Sequence, residues 1–124
     1  MSIPDFQTTM RPLLVSVSDG ETHQFRDVID KLRHEFDMTP EELQQKIPSG
    51  KQTVIHNRIS WAKSYMTKAG LLDSPARGMT KITQRGLDAI AQTDQPIRNK
   101  YLKQFPEFLE FHKAKPKPSI DANS

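Results

Sequence analysis

The sequence predicts a mainly α-helical domain carrying one small β-hairpin, an α+β fold. Three observations predict it. Apolar residues recur at spacings of three and four along most of the chain, one short stretch (MTKIT) alternates instead, and proline or glycine stands at most junctions between these runs. The 124 residues suffice for one domain, and 35% hydrophobic with 27% charged residues leave room for one modest core under a solvated surface. The absence of cysteine excludes disulfides, thiolate zinc sites and cysteine nucleophiles, and suits a reducing compartment. No apolar run approaches the roughly 20 residues of a membrane span. The opening MSIPDFQTTMRP has no cationic start before an apolar stretch, so it does not read as a signal peptide. The expectation is a soluble, cytoplasmic chain with no membrane partner.

Each element has its own signal. Pro4 and Asp5 suit a helix start, and Phe6, Met10, Leu13, Leu14 and Val17 follow at helical spacing until Asp19-Gly20 ends the run. Pro12, inside that run, should kink or restart the helix. ETHQF reads as a one-rung edge strand. Val28, Ile29, Leu32 and Phe36 mark a second amphipathic helix from Arg26. Thr39-Pro40-Glu41-Glu42 is a capped start with acids where the helix dipole favours them, opening a short third helix through Leu43 and Ile47. Pro48-Ser49-Gly50 then breaks the chain.

A fourth helix is expected from Lys51 to Ala69, with Gly70 as its C-cap. At 100° per residue, Ile55, Ile59, Ala62 and Met66 form one stripe for the core. Thr53, Asn57, Ser60, Ser64 and Thr67 fall opposite, bordered by Lys51, Gln52, His56 and Lys63 on one side and by Val54, Arg58, Trp61 and Tyr65 on the other. Short uncharged hydrogen-bonding side chains flanked by cations suit a helix lying in the major groove of DNA, although an ordinary solvent face would also accept them. Two short strands follow, AGLLDS and MTKIT, joined by the turn PARG with Arg77 at its tip. Thr83 caps a fifth helix with Leu87, Ile90 and Ala91 inward. Helices, then a hairpin with a basic tip, then a helix is the order of a winged helix-turn-helix.

Charge is distributed unevenly. Residues 1–50 hold five cations and nine acids, whereas residues 51–85 hold seven cations against Asp73 alone, within a net charge of +3. Such a basic block is the footprint of a polyanion binder. The predicted contacts with double-stranded DNA are Lys51, Gln52, Thr53, His56, Asn57, Arg58, Ser60, Lys63, Ser64, Arg77 and Lys81. Trp61 can stack on a sugar or a thymine methyl, or pack against the first helix or the C-terminal segment. The division expected is 1–97 for the DNA-binding domain, 98–112 for a docking helix and 113–124 for a linker or disordered tail. Tyr101, Leu102, Phe105, Phe108, Leu109 and Phe111 would dock that helix on the domain or on a second subunit of a homo-oligomer, with Pro106 starting or breaking it.

In order along about residues 2–112, SIPDFQ, PSGKQTVIHNRISWAKSYMTKAGLL, SPARGMTKITQRG and FPEFLEF resemble the N-terminal domain of Mrr restriction-system proteins. Asn57, Arg58, Trp61, Ala62, Ala69, Gly70, Leu71, Arg77, Gly78, Ile82 and Thr83 match the family's NRxxWAxxxLxxAGL and SxRGxxxIT motifs. Met66 stands where leucine is common, a change that conserves volume. The resemblance implies a winged-helix domain that binds DNA, with a separate C-terminal nuclease domain, dependent on Mg²⁺, that cuts methylated DNA. The parent protein would then be a type IV restriction endonuclease.

A nuclease would need a strand-borne acid, then a Glu or Gln, a spacer and a Lys to hold a divalent metal. Gln44-Gln45-Lys46 is the one formal match, and it lies in a helix-like segment with no such acid before it. This chain is therefore expected to lack catalytic residues, metal ligands and cofactors. The four histidines show no zinc spacing, and no glycine-rich phosphate loop is present. Two other readings share the local physics. A winged-helix transcription regulator would add an apolar dimer helix, and a winged-helix protein-interaction module would expose apolar surface on the fourth helix.

Overall fold

The computed structural model describes residues 3–92 and 94–114, with side chains through residue 111. Its elements are α1 (Met10–Ser16), β1 (His23–Gln24), α2 (Phe25–Glu35), α3 (Pro40–Gln44), α4 (Val54–Lys68), β2 (Leu72–Asp73), β3 (Met79–Ile82), α5 (Gln84–Gln92), α6 (Asn99–Leu102) and α7 (Pro106–Ala114). The α+β expectation holds. The three strands form one antiparallel sheet in the order β1-β3-β2, with His23 opposite Thr80 and Leu72 opposite Ile82.

The predicted core closes around α4. Ile55, Ile59, Ala62 and Met66 are fully buried, together with Phe6, Met10, Leu13, Leu14 and Val17 from the N-terminal segment and Leu32 from α2. Pro12 restarts the first helix. Residues 6–9 form turns, Thr9 leads into α1, and Pro12 falls in the first helical turn, where its missing N–H costs nothing. Thr39 closes a capping box with Glu42: the Thr39 hydroxyl accepts from the Glu42 N–H at 3.1 Å and the Glu42 carboxylate accepts from the Thr39 N–H at 2.8 Å.

Several boundaries differ from the sequence reading. The third helix stops at Gln44, so Ile47 is buried from a turn rather than from a helix. That turn is closed by a Lys46–Thr53 bridge, in which Ile47 N–H donates to the Gln52 carbonyl and Val54 N–H to the Gln45 carbonyl. The fourth helix consequently starts at Val54 instead of Lys51, with Thr53 as its N-cap accepting from the His56 N–H at 3.2 Å. At the other end, Gly70 (φ +84°) follows the Ala69 cap and closes a Schellman pair: Gly70 N–H donates to Thr67 and Leu71 N–H to Met66. Ala69 and Gly70 thus belong to the helix end, and only Leu72–Asp73 of the expected first strand pairs. In α5, Gly86 and Ala89 are buried while Ala91 is exposed, correcting the expected inward face. Leu87 and Ile90 pack against the core as expected.

The C-terminal segment docks on its own domain. Pro106 opens α7, and Phe108 and Leu102 are fully buried. Tyr65 of α4 lies edge-on to Phe6, Trp61, Phe108 and Phe111, with ring centroids 5.1 to 6.0 Å apart. Among the described residues, Val15 is the exposed large hydrophobic side chain. The proposed tail, 113–124, lies outside the described residues apart from Lys113 and Ala114, whose backbone completes α7.

Candidate nucleic-acid interface

Three elements meet at an open cleft of about 480 Å³. The N-terminal half of α2 contributes Gln24 (its preceding residue), Phe25, Arg26 and Ile29; α4 contributes His56; and the β2–β3 hairpin contributes Arg77, Gly78 and Met79. A smaller hollow continues along α2, lined by Arg26, Ile29, Asp30, Arg33 and His56. The hairpin tip is tied to α2, because the Phe25 N–H donates to the Gly78 carbonyl at 2.8 Å. Gly78 takes φ +76°, a left-handed conformation that favours glycine. Lys63 extends over the Phe25 ring, with Nζ 4.9 Å from its centroid.

The geometry sorts the predicted contacts. His56 and Ser64 are exposed on α4, and Ser60 and Lys63 are half-buried on the side that borders the cleft. Arg77 and Lys81 are exposed on the hairpin; Lys81 shares the outer sheet face with Met79, while Thr80 and Ile82 point into the core. Lys51 is exposed in the turn before α4, and the half-buried Gln52 beside it has its Oε1 buried. Thr53 is occupied as the cap of α4.

Two predicted contacts face inward instead. Arg58 is only 8% exposed, and its Nη1 donates to the carbonyls of Ile3 and Pro4 at 3.1 and 3.2 Å. Burial lowers its pKa, with Asp5 opposing that shift. The N-terminal segment folds back across α4 and uses this guanidinium as its anchor. Asn57 is 9% exposed, with its Oδ1 buried and no hydrogen-bond partner among the described residues. The expectation that it lies outward on the helix fails: Asn57 is buried together with Val54, Ile55 and Arg58, and His56 is the exposed residue of that turn.

Another member of the basic block also serves the fold. Arg85 donates to the Ala69 carbonyl at 2.8 Å, pairs with Glu107 at 3.1 Å and stacks on Phe105 at 4.5 Å, joining the end of α4 to α7. Glu107 has its pKa lowered by a backbone hydrogen bond and by that arginine.

Sequence reasoning missed Arg26 and Arg33. They lie seven residues apart on one face of α2, a spacing readable in the sequence but masked there by the net acidity of residues 1–50. Arg33 lowers the pKa of His56, although burial is the larger cause. Both effects favour the uncharged imidazole. Among the described residues, no group of three or more His, Asp or Glu side chains is placed to hold a metal ion, and no helix is long and apolar enough to cross a membrane. Gln44 ends α3 and Lys46 sits in an isolated bridge to Thr53, so the formal nuclease match lies outside the three-stranded sheet.

Comparison with known proteins identifies the family. The family model of the Mrr N-terminal domain matches residues 6–92. The chain is similar to the type IV methyl-directed restriction enzyme EcoKMrr of Escherichia coli strain K12, 30% identical over 98 residues. That match covers 78% of this chain and 32% of the enzyme, so the chain spans about a third of its relative's length. No solved structure matches. With the family model covering most of its length, the chain belongs to the Mrr N-terminal domain family.

Proposed function

We propose that this chain is a winged helix-turn-helix that binds double-stranded DNA and acts as the targeting domain of an Mrr-like restriction endonuclease directed at methylated foreign DNA. The nuclease and its Mg²⁺ chemistry would belong to a domain outside this sequence, leaving this chain non-catalytic and without a cofactor. The observation that carries the reading is the cleft where α2, α4 and the hairpin converge, because Arg26, Arg33, Lys63 and Arg77 reach it or its border from three separate elements. Cations spread over three elements suit the repeating phosphates of a duplex, with the outer side of α4 toward the major groove and the hairpin as the wing against the backbone. Ser60 and Ser64 are then the base-edge candidates, flanked by His56, Lys63, Lys51 and Lys81.

A salt titration of binding to methylated and unmethylated duplexes tests the proposal. Engagement of four to six cations should give a slope of log K against log salt of roughly −4 to −5, from about 0.9 per phosphate. Binding that ignores salt would favour a protein-interaction module. Tight, sequence-specific binding to a palindrome without regard to methylation would favour a transcription regulator. The polar outer positions of α4 and the burial of Leu102 and Phe108 within this chain's own fold support neither alternative.

A further inference from the structure

We propose that the cleft between α2 and the hairpin takes one unstacked nucleotide of the bound strand, with its base or sugar ring on the Phe25–Ile29–Met79 floor and its phosphate at the Arg26–Arg77 rim. The inference rests on the DNA-binding reading and names what this part of the surface holds. A contact to backbone phosphates alone needs cations and donors on a convex or flat surface. Here an aromatic ring, a branched aliphatic and a thioether line a concave space of about 480 Å³, within the size range of small-molecule sites and far larger than a phosphate requires. The floor is apolar and the rim carries two guanidiniums, which matches the two chemically different halves of a nucleotide. Sequence-tolerant single-strand sites use the same combination of a ring for stacking and cations for the backbone.

The parts are held in position before any ligand arrives. The Phe25 backbone is fixed to the hairpin through its bond to Gly78, and the ring carries the Lys63 ammonium 4.9 Å from its centroid. His56 lines the cleft from the α4 side. Phe25 is half-buried despite opening the second helix, at a position where a polar residue would serve a purely solvated start. A base enters such a cleft only after leaving its stack, so the cost falls where pairing is already broken.

The test compares a matched duplex with the same duplex carrying a central three-nucleotide bubble, using the whole chain. The bubble should bind about tenfold more tightly. Phe25→Leu, which keeps apolar volume but removes the ring, should bring the affinity for the bubble down to that variant's own affinity for the matched duplex, and Phe25→Trp should restore the preference. Independently of any variant, 5-iodouridine in the bubble should photocrosslink to a peptide containing residues 24–29 or 77–79. Equal affinity for the two DNAs, a preference that survives Phe25→Leu, or crosslinking confined to α4 would each overturn the proposal. Salt-dependent duplex binding would persist in all three cases, so the DNA-binding reading is tested separately.

Discussion

At the scale of single residues, two arginines of one basic block have opposite fates. Arg58 is buried with its Nη1 bonded to two main-chain carbonyls, whereas Arg77 is exposed at the hairpin tip. Arg58→Ala should therefore lower stability by about 2–3 kcal/mol, in line with hydrogen bonds from a charged donor, and leave the salt slope of DNA binding intact below the melting transition. Arg77→Ala should leave the thermal melt unchanged and reduce the slope by about one unit. His56 adds a pH dependence whose sign follows from its surroundings. Burial first, and Arg33 second, depress its pKa below the ordinary value of 6.5, so protonation opposes the folded state and that contribution is lost as pH falls through 6.5 and below. A phosphate in the cleft would favour the imidazolium, so binding takes up a proton. Affinity for duplex DNA should rise as pH falls through the same window, and His56→Gln should flatten the profile in a titration at fixed salt.

At the scale of elements, the packing of α5 sets a test in which two effects compete. Helix propensity alone would make Gly86→Ala stabilising by about 1 kcal/mol. The added methyl, however, would lie against the Leu71 carbonyl oxygen and within 2.7 Å of Ile82 Cγ1, and neither neighbour is the loose end of a flexible side chain. Overpacking of this kind costs about 1–3 kcal/mol, so the variant should melt lower than the parent. The Thr83 hydroxyl accepts from the Gly86 N–H at 3.1 Å, and it donates to the Gly70 carbonyl. One side chain therefore caps α5 and ties it to the end of α4.

At the scale of the molecule, α4 has two working sides. His56 and Lys63 border the cleft, while Tyr65, half a turn around the helix, anchors α7 through Phe108 and Phe111. Phe108→Ala should cost about 3–5 kcal/mol of stability by leaving a cavity under α7, measured by denaturant unfolding, with the salt slope of the folded fraction preserved. For the non-catalytic reading, the pure chain incubated with Mg²⁺ and methylated plasmid should leave the plasmid supercoiled; reproducible nicking would defeat it.

The helices, their core stripe and the position of the hairpin were legible in the sequence, because each rests on local rules. Ile55, Ile59, Ala62 and Met66 share a face by helical geometry alone, Thr39 caps through residues three apart, and Gly70 ends α4 through the conformation that glycine permits. The fates of polar side chains were not legible. Arg58 bonds to residues more than 50 positions away, Arg85 reaches both Ala69 and Glu107, and Arg26 joins Arg77 only because the sheet order brings the hairpin beside α2. Periodicity fixes the direction of a side chain relative to its own helix axis, but whether that direction meets solvent depends on which distant segment is laid across it. The sequence by itself therefore determined where charge is concentrated, and the tertiary structure alone decided which of those charges remain free to meet a ligand.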